Sequence, residues 1–184
     1  MLQINFDPFP ILTTERLLLR QMNNGDANEI FFLRSDDEML KYVGRPKATS
    51  IEEILKWIEM VNDTIVKNEG INWAITLHNE PKLIGIISFW RIDKQHHRAE
   101  AGYVLHPDYQ KKGIMDEALK TILHYGFHTL KFHSVEANID PENTASKHLL
   151  EHNGFVREAY YKENYFFQDK FWDSAIYSLL TPVK

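Results

Sequence analysis

The segment HPDYQKKGIMDEALKTILHYGF, residues 106–127, decides how this chain is read. Pro107 stops the strand-like run HRAEAGYVL (97–105), because a proline has no N–H to give to a ladder. From Ile114 onward, apolar side chains recur at helical intervals. Ile114, Ala118, Ile122 and Phe127 share one face, widened by Leu119, Leu123 and Leu130. Between strand and helix stand Gln110, Lys111, Lys112 and Gly113. The first N–H groups of a helix have no partners inside it, and its macrodipole places about half a positive charge there. A glycine at that mouth lets an anion approach the backbone, and two lysines add mobile cations. The turn has two readings: a phosphate site, or a solvated turn whose dipole is satisfied by Asp116 and Glu117. It is not a P-loop, since no Gly-Lys-Ser/Thr follows a second glycine, and it lacks the first two glycines of the dinucleotide fingerprint.

Outward from this segment, the chain alternates between sheet and helix signals. ERLLLRQM (15–22) carries Leu17 and Leu19 on one face and Arg16 and Arg20 opposite, the pattern of a strand. Asp26 is placed to cap a helix over ANEIFFLRS, and DDEMLKYV (36–43) reads as a second short helix stopped by Gly44 and Pro46. Ser50 and Glu53 have capping-box spacing and open a helix over 51–68, with Ile51, Ile54, Leu55, Ile58, Val61 and Ile65 on its apolar side. INWAITL and KLIGIISFWRI flank a turn at His78–Pro81 and read as a hairpin. SVEANI (134–139) is strand-like. ENTASKHLLEHNGF is a helix with Asn143 as its cap and Gly154 as its stop. The aromatic tail alternates around Gln168-Asp169 as a closing hairpin. The order predicts a mixed α/β domain of the α+β type, a single unit over 1–184.

Composition narrows the chemistry. With 184 residues the chain can bury a sizeable core, and 43% apolar with 26% charged residues is ordinary for a globular protein. The absence of cysteine excludes disulfides, thiolate metal sites and a cysteine nucleophile. No apolar run approaches ~20 residues, so no membrane association is expected. MLQINFDPFP lacks the basic-then-apolar pattern of a signal peptide, and a cytoplasmic location is expected. A net charge of -5 without a basic stripe argues against nucleic acid as a partner. His124/His128 and His148/His152 have helical zinc spacing, but neither pair has the following glutamate or a third ligand, so no metal is expected. No Gly-x-Ser-x-Gly elbow exists for a hydrolase. The four tryptophans read as core or pocket wall, and Tyr160, Tyr161, Tyr165, Phe166 and Phe167 either line an acceptor site or pack a hairpin.

Four ordered stretches together resemble one family. Gln110-Lys111-Lys112-Gly113-Ile114-Met115 resembles the Gln/Arg-x-x-Gly-x-Gly/Ala loop of the GNAT superfamily of acetyl-coenzyme-A-dependent N-acetyltransferases. LTTERLLLRQM resembles the first strand of its ribosomal-protein N-terminal (alanine/serine) acetyltransferase branch, AEAGYVLHPDYQ its fourth strand, and NTASKHLLEHNGF its late helix. The resemblance covers nearly the whole chain. It implies a mostly antiparallel sheet splayed between its fourth and fifth strands and flanked by helices, with the pantetheine arm of acetyl-CoA in the gap. The arm would pair with backbone around Tyr103, Val104 and Leu105. The pyrophosphate would sit on Gln110, Lys111, Lys112, Gly113, Ile114 and Met115, with Asn138, Asn143 and Ser146 on the far side. Met115 stands where the family residue is usually small. Leu150 stands where many relatives carry a tyrosine that protonates the leaving thiolate, and Ser146 is the nearest hydroxyl to replace it.

The implied reaction is direct transfer in a ternary complex, with free coenzyme A as product and the backbone N–H groups near Val104 and Leu105 facing the developing oxyanion. An α-amine titrates near ~8 and a lysine near ~10.4, so an N-terminus needs less help from a base. Glu100, on the strand beside the thioester, is the expected base; the alternative is a carboxylate facing solvent or paired with Arg98. A thiol leaving group with pKa near ~8.5 scarcely needs an acid. The acceptor is then a protein N-terminus, or a small molecule such as a polyamine, amino acid or aminoglycoside; a non-catalytic acyl-CoA-binding module is the reading outside catalysis. The chain is expected as a monomer or homodimer.

Overall fold

The computed structural model describes residues 1–181. Strands β1 (Leu12–Thr13) and β2 (Leu17–Arg20) lead into α1 (Ala27–Ser35), α2 (Asp37–Leu40) and α3 (Ile51–Val66). Strands β3 (Ile71–Leu77), β4 (Glu80–Asp93) and β5 (Arg98–Leu105) follow, then α4 (Ile114–His128), β6 (Ser134–Ile139), α5 (Thr144–His152), β7 (Val156–Phe167) and β8 (Lys170–Leu180). All eight strands join one sheet in the order β1-β2-β3-β4-β5-β6-β8-β7. Every neighbouring pair is antiparallel except β5 and β6, which run parallel. Counted along this chain, the expected splay therefore falls between the fifth and sixth strands, because the two-residue β1 adds one to the count.

Strand alternation sorts the core into two layers. Trp73, Ile87 and Phe89 are fully buried on the face that α4 covers. The Trp73 ring meets Tyr125 of α4 edge-on at 5.9 Å. Gly126 lies so close to the sheet that a Cβ there would stand 2.9 Å from Phe89 Cζ, so only glycine lets α4 settle at this depth. On the other face Ala74, Ile84 and Ile86 are buried, where α1 contacts β4 and α3 contacts β3. Helix α3 buries Ile54, Ile58, Val61 and Ile65, the residues its periodicity selects.

Several local expectations change in detail. Asp26 stands at the N-cap of α1 but makes no side-chain cap bond. Its carboxylate is bound to Arg20 (2.6 Å) and to the Asn23 N–H (2.9 Å), an ion pair between largely buried side chains outbidding the helix terminus. Ser50 caps α3 through the Glu53 N–H, while the Glu53 carboxylate turns to the Thr49 N–H and hydroxyl (2.8 Å each) instead of completing the box on Ser50. The β3–β4 turn is two residues, His78-Asn79, so Pro81 lies inside β4, exposed near its start. The closing hairpin turns on Gln168 and Asp169, both with positive φ (50° and 57°), as a two-residue turn matched to strand twist requires.

Candidate active site

Strands β5 and β6 share only three register pairs, Arg98–Ser134, Ala99–Val135 and Glu100–Glu136, and then part. Beyond this apex β5 remains zipped to β4 through Leu105, and β6 to β8 through Ile139, so a gap opens between two intact ladders. The His106 N–H donates to the Ile84 carbonyl (2.8 Å), which fixes the alternation along β5. Backbone groups of Gly102 and Val104 accordingly face β4, whereas those of Ala101, Tyr103 and Leu105 face the gap. The Val104 N–H, paired in register with Ile86, is thus turned away from the site, and Leu105 is the better-placed of the two amides. The Thr181 N–H donating to His133 O (2.8 Å) fixes the same alternation on β6 and turns the Asn138 backbone into the gap.

The mouth of α4 lies just past the open end of β5. Lys111 (φ 58°) and Gly113 (φ 73°) both adopt left-handed conformations, and α4 starts on amides that no side chain caps; Gly113 is the N-cap and offers no side chain to cover them. Gln110 anchors the loop by donating its amide to Leu105 O (3.0 Å). Ile114 and Met115 turn their side chains into the core, so methionine at the usually small position leaves the mouth clear. The carboxylates of the first turn are occupied laterally: Asp116 with Lys120 (2.7 Å) and Asn153 (2.9 Å), Glu117 with Arg16 (2.6 Å) and Thr14. Arg16 also donates to Lys112 O (2.9 Å), and its Nη2 would stand 3.4 Å from a Cβ on Gly113. Sequence alternation placed Arg16 on the outer face of a strand; only the crossing of β2 over α4 brings it to this mouth. Lys111 and Lys112 are exposed, with Lys112 over the Tyr109 ring.

Glu100 closes the apex. It is 5% exposed and bound by Arg91 Nη1 (3.0 Å) rather than by Arg98, which pairs with Glu136. Burial pushes its carboxyl above the usual range; Arg91 pulls it back, and the neighbouring Glu136 charge raises it further.

On the opposite face of β5, Tyr103 reaches towards α5. Its hydroxyl is buried and makes no hydrogen bond. Burial pushes it up to about 12, and Ser146 is near enough to lower it somewhat while standing outside hydrogen-bonding geometry. Ser146 is held by its own N–H, which donates to the cap Asn143 Oδ1 (3.0 Å), so the Asn143 side chain is committed to the helix start. Leu150 is fully buried core. Tyr103 and Ser146 thus come together, and Glu100 lies across the sheet from them. The Tyr103 hydroxyl was not visible as a site group from sequence, since a strand tyrosine carries no local signal of an unpartnered phenol.

Past the open end, the α2–α3 loop stands against the β7–β8 hairpin. Tyr165, Phe167 and Trp172 line a cavity of about 120 Å³ there, while Tyr160, Tyr161 and Phe166 are exposed. No group of three metal-ligating side chains occurs among the described residues, and His124 and His128 stack on each other at 4.3 Å.

A free strand edge leading to an uncapped glycine mouth suits an extended arm ending in a diphosphate. Residues 16–156 match the family model for the acetyltransferase (GNAT) domain. The chain belongs to the GNAT acetyltransferases. It is 33% identical to the uncharacterized N-acetyltransferase YoaA of Bacillus subtilis, over 95% of this chain and 98% of that one. It is 27% identical to the [ribosomal protein uS5]-alanine N-acetyltransferase of Escherichia coli, over 93% and 91%. The spermidine N-acetyltransferase of Vibrio cholerae, solved with CoA and spermine, superposes with a TM-score of 0.81 at 26% identity, over 91% of this chain and 97% of that one. As a GNAT member this protein is an acetyl-CoA-dependent N-acetyltransferase, and none of its described helices is long and apolar enough to cross a membrane.

Proposed function

We propose that this enzyme acetylates a protein N-terminal α-amine in the cytoplasm, as a monomer or homodimer. The observation that carries the reading is the buried Glu100 carboxyl at the point where β5 and β6 part. Acetyl-CoA supplies the acetyl thioester. The gap-facing backbone of Tyr103 and the Leu105 N–H on one side, with Asn138 on the other, are suited to hold its arm, and the amides from Gly113 to Met115, flanked by Gln110, Lys111 and Lys112, to hold its diphosphate. Glu100 accepts a proton from the incoming ammonium, directly or through water. Burial raises its pKa and so makes it a stronger base, and an α-amine, titrating near ~8, asks less of that base than a lysine near ~10.4. Ser146, with Tyr103 behind it, holds the proton needed on the leaving-group side. Asn143 positions Ser146.

Thiol release measured against N-terminal peptides, spermidine and free amino acids, each at matched pH, tests the assignment. Peptides should give the highest kcat/KM. Preference for spermidine would transfer the protein to the small-molecule acetyltransferases, and saturable acetyl-CoA binding without release from any amine would make it a binding module.

A further inference from the structure

The cavity between the α2–α3 loop and the β7–β8 hairpin is lined by three cations, Lys41, Arg45 and Lys47, and one carboxylate, Asp37. Lys47 is paired with Asp37, which leaves Lys41 and Arg45 on its wall. Arg45 Nε is buried with no hydrogen-bond partner, and no carboxylate pairs with Arg45 among the described residues. Behind it Arg34, also without a carboxylate, lies over the Trp57 ring at 4.3 Å, and its carbonyl accepts the Ala48 N–H (2.8 Å), which ties the loop to α1. Burial and the nearby Arg34 charge push Arg45 down to about 10. A protein gains nothing in stability by desolvating two like charges side by side, so the arrangement is one that an incoming anion would complete.

The place of the cavity says which molecule brings that anion. The β6–β8 ladder ends at Ile139–Ala175, and Trp172, paired with Tyr165, lies on the stretch of β8 that runs on past it, so the hairpin wall of the cavity stands beyond the open end of β6. A Cβ on Gly44 would stand 2.5 Å from Tyr165 Cε2, so loop and hairpin are in direct apposition. The α4 mouth, which has its own cations in Arg16, Lys111 and Lys112, belongs to a different loop.

We infer that this cavity binds an anionic group of the acceptor, a carboxylate or phosphate, on the Arg45 guanidinium while the acceptor's amine lies at the gap. The inference rests on the acetyltransferase reading and refines its substrate class: an acidic side chain close to the N-terminus, not a polyamine, fits the site.

Matched peptides with Glu or Gln at the second or third position separate the possibilities. The Glu peptides should be preferred by about tenfold to a hundredfold in kcat/KM, the range for a hydrogen bond to a charged group. Arg45→Met should erase the preference and Arg45→Lys should keep part of it, with acetyl-CoA affinity unchanged in both. Succinate and inorganic phosphate, at constant ionic strength, should compete with the peptide and not with acetyl-CoA. Equal rates for Glu and Gln peptides, or a preference that survives Arg45→Met, would overturn the inference while leaving the acetyltransferase standing. Loss of acetyl-CoA affinity in Arg45→Met would also overturn it, by giving the cation to the cofactor. Should no amine be turned over, the function fails separately. Tryptophan fluorescence titrated with succinate then decides the anion site, which is supported by saturation lost in Arg45→Met and refuted by none in the wild type.

Discussion

The two ends of the β5–β6 gap treat their charges differently. At the α4 mouth each charged side chain that shapes the loop is tied sideways: Arg16 to Glu117 and Lys112 O, Asp116 to Lys120 and Asn153. What remains free there is backbone, with the exposed Lys111 and Lys112 at its rim. At the hairpin end the backbone is paired and the free group is a side chain, Arg45. One end can thus recognise a constant ligand with main-chain groups that substitution scarcely alters, and the other a variable ligand with residues that are easily exchanged.

The strongest way to break this contrast is Gly113→Asp. A carboxylate at the helix mouth, on a residue held at φ 73°, should weaken acetyl-CoA by about a hundredfold or more in calorimetry, ~2.7 kcal/mol or more. Near-normal affinity would mean that the mouth is not the diphosphate site. Glu100→Gln should lower kcat about 10²–10⁴-fold and leave acetyl-CoA affinity in place. Because the folded carboxyl is raised, the wild-type rate should climb with pH through a titration above the ordinary carboxylate range, and the variant should lose that limb. A profile unchanged in shape would remove Glu100 as base. Tyr103→Phe sharpens the comparison by separating stability from rate: deleting an unsatisfied buried hydroxyl should raise stability by about 1 kcal/mol in urea unfolding. The rate should fall only about tenfold, since a thiol needs little acid assistance. A variant equally stable and equally fast would make the phenol a bystander. Arg16→Met should act least, weakening acetyl-CoA by less than about 1 kcal/mol because the pair with Glu117 is half exposed.

How much of this was legible follows the same division. The α4 mouth could be read because its device is local: a glycine, an apolar period and a strand stop lie within one run of residues. Residues 134–139 were bounded correctly because they alternate between two turns. The Asn143 cap and the Gly154 stop (φ 84°) were legible for the same reason. Arg91 as the partner of Glu100 was not, since it depends on an irregular step in the β4–β5 register between Trp90 and Asp93, which a period-2 pattern cannot announce. Arg45 was hidden more thoroughly. Nothing in VGRPK distinguishes an arginine that points at solvent from one whose Nε is sealed beneath an aromatic hairpin 120 residues away in sequence.

The three-rung seam between β5 and β6 has a mechanical consequence. Five strands on one side and three on the other are joined edge to edge by little more than a hinge, and the rest of their facing margins lack a partner strand. A molecule that lies along those margins and bonds to both acts as mortar, so the loaded protein should melt as one body where the empty one has a weak line down its middle.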